Sequence, residues 1–125
     1  AMPPESLEVL LARAERLNHF LELTLLWQTF CCDVGHANMN EGVQTAFRLM
    51  EDRMRSTHIH DNNGAADQHL FPLGTDGGTI DWKKTMDLLR TRPEQYPLIL
   101  ELKELPDLQN PIETARDLFE KLESL

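Results

Sequence analysis

Apolar residues recur at helical spacing along the start of the chain: Leu7, Leu10, Leu11, Ala14, Leu17, Leu21 and Leu25. Glu8, Arg13, Glu15, Arg16 and Glu22 fill much of the other face, and Pro3-Pro4-Glu5 suits a first helical turn. The pattern predicts an amphipathic helix over 5–26. The period then changes. Phe30 to Val34 is a short apolar run closed by Gly35, which reads as a buried strand. Val43, Ala46, Phe47 and Met50 mark a helix over 41–54, and Ser56 to Asp61 reads as a second strand. Residues 62–80 form a long loop rich in Asn, Asp and Gly, and loops of that length inside a small domain usually carry function. Asp81 is placed to cap a helix ending near Arg90. Leu98 to Leu102 is a near-continuous apolar run, as in parallel strands, and Ile112 to Leu122 predicts a last amphipathic helix. The order α-β-α-β-loop-α-β-α implies a parallel sheet with crossover helices.

Composition changes this picture little. With 125 residues, 41% hydrophobic and 26% charged, the chain is sized and composed for one globular domain. It divides into an N-terminal helix (1–27), a central strand-and-loop region (28–105) and a C-terminal helix (106–125). Charge adds an exclusion. Twelve basic and 21 acidic residues give a net charge of −9, which disfavours generic nucleic-acid binding. No apolar stretch is long enough to span a membrane, and no secretory pattern opens the chain. The cysteines, Cys31 and Cys32, are adjacent, a geometry that strains a mutual disulfide. They read as small side chains in a strand, and a reducing cytoplasm is the expected compartment.

The polar residues that carry chemistry gather at strand ends. Asp33 and His36 close the first strand, His58, His60 and Asp61 the second, and Glu101 lies in the third. Asp67 and His69 follow in the loop. Parallel α/β folds place ligand sites at the C-terminal ends of their strands. Alternation puts His58 and His60 on one face, and paired imidazoles on a buried face are costly unless hydrogen-bonded or metal-bound. Singly, each histidine reads more readily as a structural residue, His58 in particular. Asp33, His60 and Glu101, from three separate strands, are better read as ligands of one shared metal.

Five segments fall in a familiar order: Asp33-Val34-Gly35-His36, His58-Ile59-His60-Asp61, Asp67-Gln68-His69-Leu70, Gly78-Thr79-Ile80-Asp81-Trp82 and Leu100-Glu101-Leu102. Together the series resembles the second half of the xylose isomerase-like barrels. These include sugar isomerases, keto-sugar 3-epimerases and endonuclease IV-type AP endonucleases. The resemblance implies an α/β fold, the C-terminal half of a (β/α)8 TIM barrel with about three parallel strands and four helices. Such barrels run to about 250 residues, twice this length. By the same resemblance Asp33, His60 and Glu101 are ligands of a divalent metal (Mn, Co, Zn or Mg). Glu101 is also one of two acid–base glutamates, and His36 contacts substrate or a second metal. Asp67 and His69 resemble a pair that holds such a second metal. The family's fourth ligand, a glutamate on the preceding strand, would lie before residue 1. The loop from Pro72 to Thr79 is longer than the corresponding family segment.

The implied activity is metal-assisted proton transfer on a keto-sugar or sugar phosphate through an enediolate. With one of the two glutamates, a single chain lacks two-sided proton transfer. The expectation is therefore an isomerase/epimerase-like domain completed by a second copy or by a separate N-terminal half. One alternative is a non-catalytic half-barrel that self-associates. Another is a metal-dependent phosphodiesterase, which the acidic balance weighs against.

Overall fold

The computed structural model describes residue 15, residues 29–92 and residues 97–125. The helix expected over 5–26 lies outside the described residues, apart from Glu15, which is helical. Three short strands form a parallel sheet in the order β1-β2-β3: β1 (Phe30–Asp33), β2 (Met54–Ile59) and β3 (Leu98–Leu100). Four helices are described: α1 (Val34–Met39), α2 (Val43–Met50), α3 (Trp82–Arg90) and α4 (Pro111–Glu123). A 3-10 turn, Glu51–Arg53, leads from α2 into β2.

The helix-covered face of the sheet holds the core. Val34, Ile59, Ile80, Trp82, Met86, Leu118 and Leu122 form one buried cluster, and Cys32, Phe47 and Met54 form another. α3 and α4 are tied at their ends as well as packed. The Arg90 guanidinium donates to the carbonyls of Leu122, Glu123 and Leu125 at the C-terminal end of α4. The expected cap holds: Asp81 accepts from the Lys84 backbone N–H at 3.0 Å.

Three differences from the sequence reading bear on the site. α1 was not foreseen. It starts directly after β1 because the Asp33 carboxylate accepts the His36 backbone N–H at 2.8 Å and so serves as its N-cap. The helix expected over 41–54 is shorter, because residues 51–53 tighten into the 3-10 turn before β2. Finally, the strands end early. His60, Asp61 and Glu101, expected within strands, lie just past them. Glu101 is still held to β2 by its backbone N–H, which donates to the Ile59 carbonyl at 3.1 Å.

Candidate metal centre

Register builds the site. Asp33 pairs with His58 across β1 and β2, and His58 pairs with Ile99 across β2 and β3, two residues before Glu101 and so on the same face. These residues project from the sheet face opposite the one that the described helices cover. His58 Nδ1 lies 3.1 Å from Glu101 Oε2 and 3.7 Å from Asp33 Oδ2. All three side chains are part-exposed.

His60 occupies a different environment. Because β2 has ended, simple alternation no longer governs it, and its side chain is fully buried. Nε2 lies 2.8 Å from Asp33 Oδ1. One face of the ring stacks on His69, with centroids 3.9 Å apart and planes 5° from parallel. Gly35 leaves room for the ring, since a Cβ at that position would overlap it. Nδ1 of His60 has no hydrogen-bond partner, and Asp67 Oδ1, at 3.9 Å, is too distant to be one.

The loop after β2 brings in the rest. Asp67 Oδ2 lies 3.1 Å from His36 Nε2, and Asp67 Oδ1 lies 3.2 Å from His69 Nε2. His69 Nδ1 lies 2.6 Å from the Glu101 carbonyl oxygen, which accepts from it. That hydrogen bond is the main reason the His69 imidazole is held above its ordinary pKa, with Asp67 adding to it against partial desolvation. For Asp67, desolvation is outweighed by the hydrogen bonds and charges of His36 and His69, so its carboxyl sits below the usual range.

Every residue singled out from sequence therefore lies in one connected cluster: Asp33, His36, His60, Asp67, His69 and Glu101. Three groups have donor atoms close enough together to share a metal ion: Asp33–His36–His60, His60–His69–Glu101 and Asp33–His58–Glu101. Each of the three ligands expected from sequence belongs to two of these groups. From sequence His58 reads as structural, yet the structure brings it against both carboxylates. The available signal was its place in the strand: a residue facing the same way as Asp33 on an adjacent parallel strand. Asp61, at the end of the same strand, is not among the ligands expected from sequence. It is buried and accepts hydrogen bonds from four neighbours.

A parallel sheet with crossover helices and an acidic, imidazole-rich cluster at its strand ends is the arrangement of a barrel-type α/β fold with a candidate metal site. The chain matches the family described as xylose isomerase-like TIM barrel over residues 14–125, and it belongs to that family. An uncharacterized protein of Sinorhizobium fredii is 36% identical over 72 residues, covering 57% of this chain and 22% of that protein. An uncharacterized protein of Methanocaldococcus jannaschii is 42% identical over 38 residues, covering 30% of this chain and 15% of that protein. The matched segments are thus less than a quarter of the length of these relatives. No solved structure matches the chain. Among the described residues no helix is long and apolar enough to cross a membrane.

Proposed function

We propose that this chain is the metal-binding part of a sugar or sugar-phosphate isomerase/epimerase, with the divalent ion held by Asp33, Glu101 and a histidine of β2 or its end. The observation that carries the proposal is the convergence of Asp33 Oδ2, His58 Nδ1 and Glu101 Oε2. Two carboxylates facing one imidazole nitrogen place lone pairs against one another, an arrangement that a cation stabilises. The donors are the oxygen and nitrogen types that Mn, Co, Zn and Mg share.

The two histidines divide the work. Asp33 Oδ1 already accepts the His36 N–H and faces His60 Nε2, while Oδ2 lies between His36 Nδ1 at 3.3 Å and His58 Nδ1 at 3.7 Å. His58 is part-exposed, whereas His60 is sealed in. A catalytic ion keeps a coordination position open to substrate. His58 suits that ion, and His60 suits the role of fixing the orientation of Asp33 behind it. The set expected from sequence, Asp33 with His60 and Glu101, differs from this one by a single histidine.

When bound, the ion supplies Lewis-acid polarisation of the substrate carbonyl and adjacent hydroxyl, which favours an enediolate. Glu101 takes or returns a proton at the substrate carbon from its side of the sugar. His36 is half-exposed at the rim, where it can donate to a substrate hydroxyl. The acid–base group for the opposite side, and a cover for the open sheet face, come from a companion segment or a second copy. Ile99, 42% exposed on edge strand β3, is the apolar contact available to it.

The test is metal titration of chelator-free protein with Mn, Co and Zn, read by calorimetry and elemental analysis. One ion per chain is expected. His58→Ala is expected to abolish binding and His60→Ala to weaken it. A wild-type chain that takes up none of the three metals sinks the proposal. Retention by His58→Ala with loss in His60→Ala moves the ion to the set expected from sequence.

A further inference from the structure

Next to His60 lies a buried carboxylate for which the proposed chemistry has no use. Asp61 is 3% exposed, and its oxygens accept four neutral N–H donors. Oδ1 takes the backbone N–H groups of Asn62 at 2.8 Å, Thr79 at 3.0 Å and Ile80 at 3.2 Å. Oδ2 takes the indole Nε1–H of Trp82 at 2.7 Å. Its backbone makes a second closure: Asp61 and Leu70 exchange both N–H···O bonds at 2.8 Å. One residue at the strand end thus holds the loop at its start, at Leu70 and at its far end. Gly78 packs so tightly on the carboxylate that a Cβ there would overlap it.

What this closure positions is His69. Leu70 is its neighbour in the chain, so the Asp61–Leu70 bridge sets His69 down beside the strand ends. There its ring stacks on His60 and its Nδ1–H donates to the Glu101 carbonyl, while its own carbonyl accepts the Lys103 N–H at 2.9 Å. His69 is a non-glycine residue with φ +51, a backbone conformation that the surrounding bonds must hold in place. Asp67, two residues earlier, is carried into reach of His36 by the same closure.

We propose that Asp61 is the positioning residue of this site: its buried carboxylate gathers loop 62–80 so that His69 and Asp67 are presented to the His60–Glu101 side of the cluster, without itself touching substrate or ion. The proposal rests on the reading of this cluster as the functional site, but its geometry can be measured without metal. A carboxylate accepts on both oxygens, whereas an asparagine amide accepts on one and donates from the other. Asp61→Asn therefore turns an NH2 group toward either three backbone N–H groups or the Trp82 indole. The buried donors on that side lose their acceptor.

The test is Asp61→Asn beside Trp82→Phe, which keeps an aromatic filler and removes only the Oδ2 donor. In metal-free protein, exchange protection at the Thr79 and Ile80 amides is expected to fall at least tenfold in Asp61→Asn. The β2 amides are expected to stay protected. The His69 ring nitrogen signals are expected to lose the fixed Nδ1–H form that the Glu101 carbonyl holds. Trp82→Phe should shift both readouts the same way by less. A folded Asp61→Asn with His69 signals and loop protection unchanged overturns the proposal. If that variant does not fold, an unchanged Trp82→Phe overturns it. A Mn titration of the same samples keeps the two readings apart. Wild-type protein that binds no metal defeats the proposed function, while the His69 signals still decide the role of Asp61.

Discussion

Two neighbours on β2, His58 and Ile59, belong to regions governed by different physics. Ile59 points into the helix-covered face, is fully buried and packs within the cluster of Val34, Trp82, Met86 and Leu122. His58 points to the open face, is part-exposed and sits between two carboxylates. One face of the strand is held by area removed from water, and the other by polar atoms that need a counter-charge more than they need burial. Stability and chemistry are thus separated by a single step along the chain.

The sharpest way to break that comparison is to truncate each neighbour. Ile59→Ala should cost about 3 kcal/mol, because a buried Ile loses its transfer energy and leaves a cavity. Urea denaturation at fixed pH reads this directly, and the metal affinity of the folded fraction should be retained. His58→Ala should lie within about 0.5 kcal/mol of wild type in the same measurement. It should remove the metal. If His58→Ala destabilises as much as Ile59→Ala, the open face is part of the core and the division fails.

The division meets at Gly35, which lies on α1 under the His60 ring. Gly35→Ala puts a methyl group where the ring sits, and His69 stacked on the far side leaves the ring little room to retreat. A loss of about 2 kcal/mol is expected, in the range of overpacked cores. The His60–Asp33 hydrogen bond should be displaced with it, seen as a shifted His60 ring signal. A variant as stable as wild type with that signal unmoved would show that His60 is held less tightly than its burial implies.

How much of this could be read beforehand depends on how far each signal reaches along the chain. Period-2 and period-3.6 patterns are local, and they located all three strands and three of the four described helices. Asp81 at the head of α3 was readable because a cap acts over three residues. The same logic applied to Asp33 would have revealed α1. It went unseen because a strand and a helix share Asp33 without a loop between them. The residues of the candidate cluster were picked out by strand-end placement and family resemblance. The place of His58 was legible, since alternation puts it on the face of Asp33, but the burial of His60 was not, because it turns on where β2 stops. That point is set by the Asp61–Leu70 bridge and by the ring-sized space above Gly35, contacts with residues far along the chain or on another element. The role of Asp61 was hidden for the same reason, since three of its four donors lie 18 to 21 residues downstream.

The smallest effect uses the second pair of neighbours that straddles the sheet. Cys32 lies in the core beside Phe47 and Met54, and Cys31 is exposed on the open face. Burial first, and then nearby negative groups, push the Cys32 thiol up to about 12. At pH 8 only about one molecule in ten thousand then carries that thiolate, and the thiolate is what alkylates. Iodoacetamide on native protein should therefore modify Cys31 and leave Cys32 intact, with Cys32 reacting only as fast as the chain unfolds. Raising the protein concentration adds a second comparison. If another copy covers the open face, Cys31 labelling slows as the copies meet while Cys32 is unchanged, and light scattering shows the larger species. Constant Cys31 labelling up to high concentration, with monomer scattering, would leave a companion segment, rather than a second copy, as the partner that completes this face.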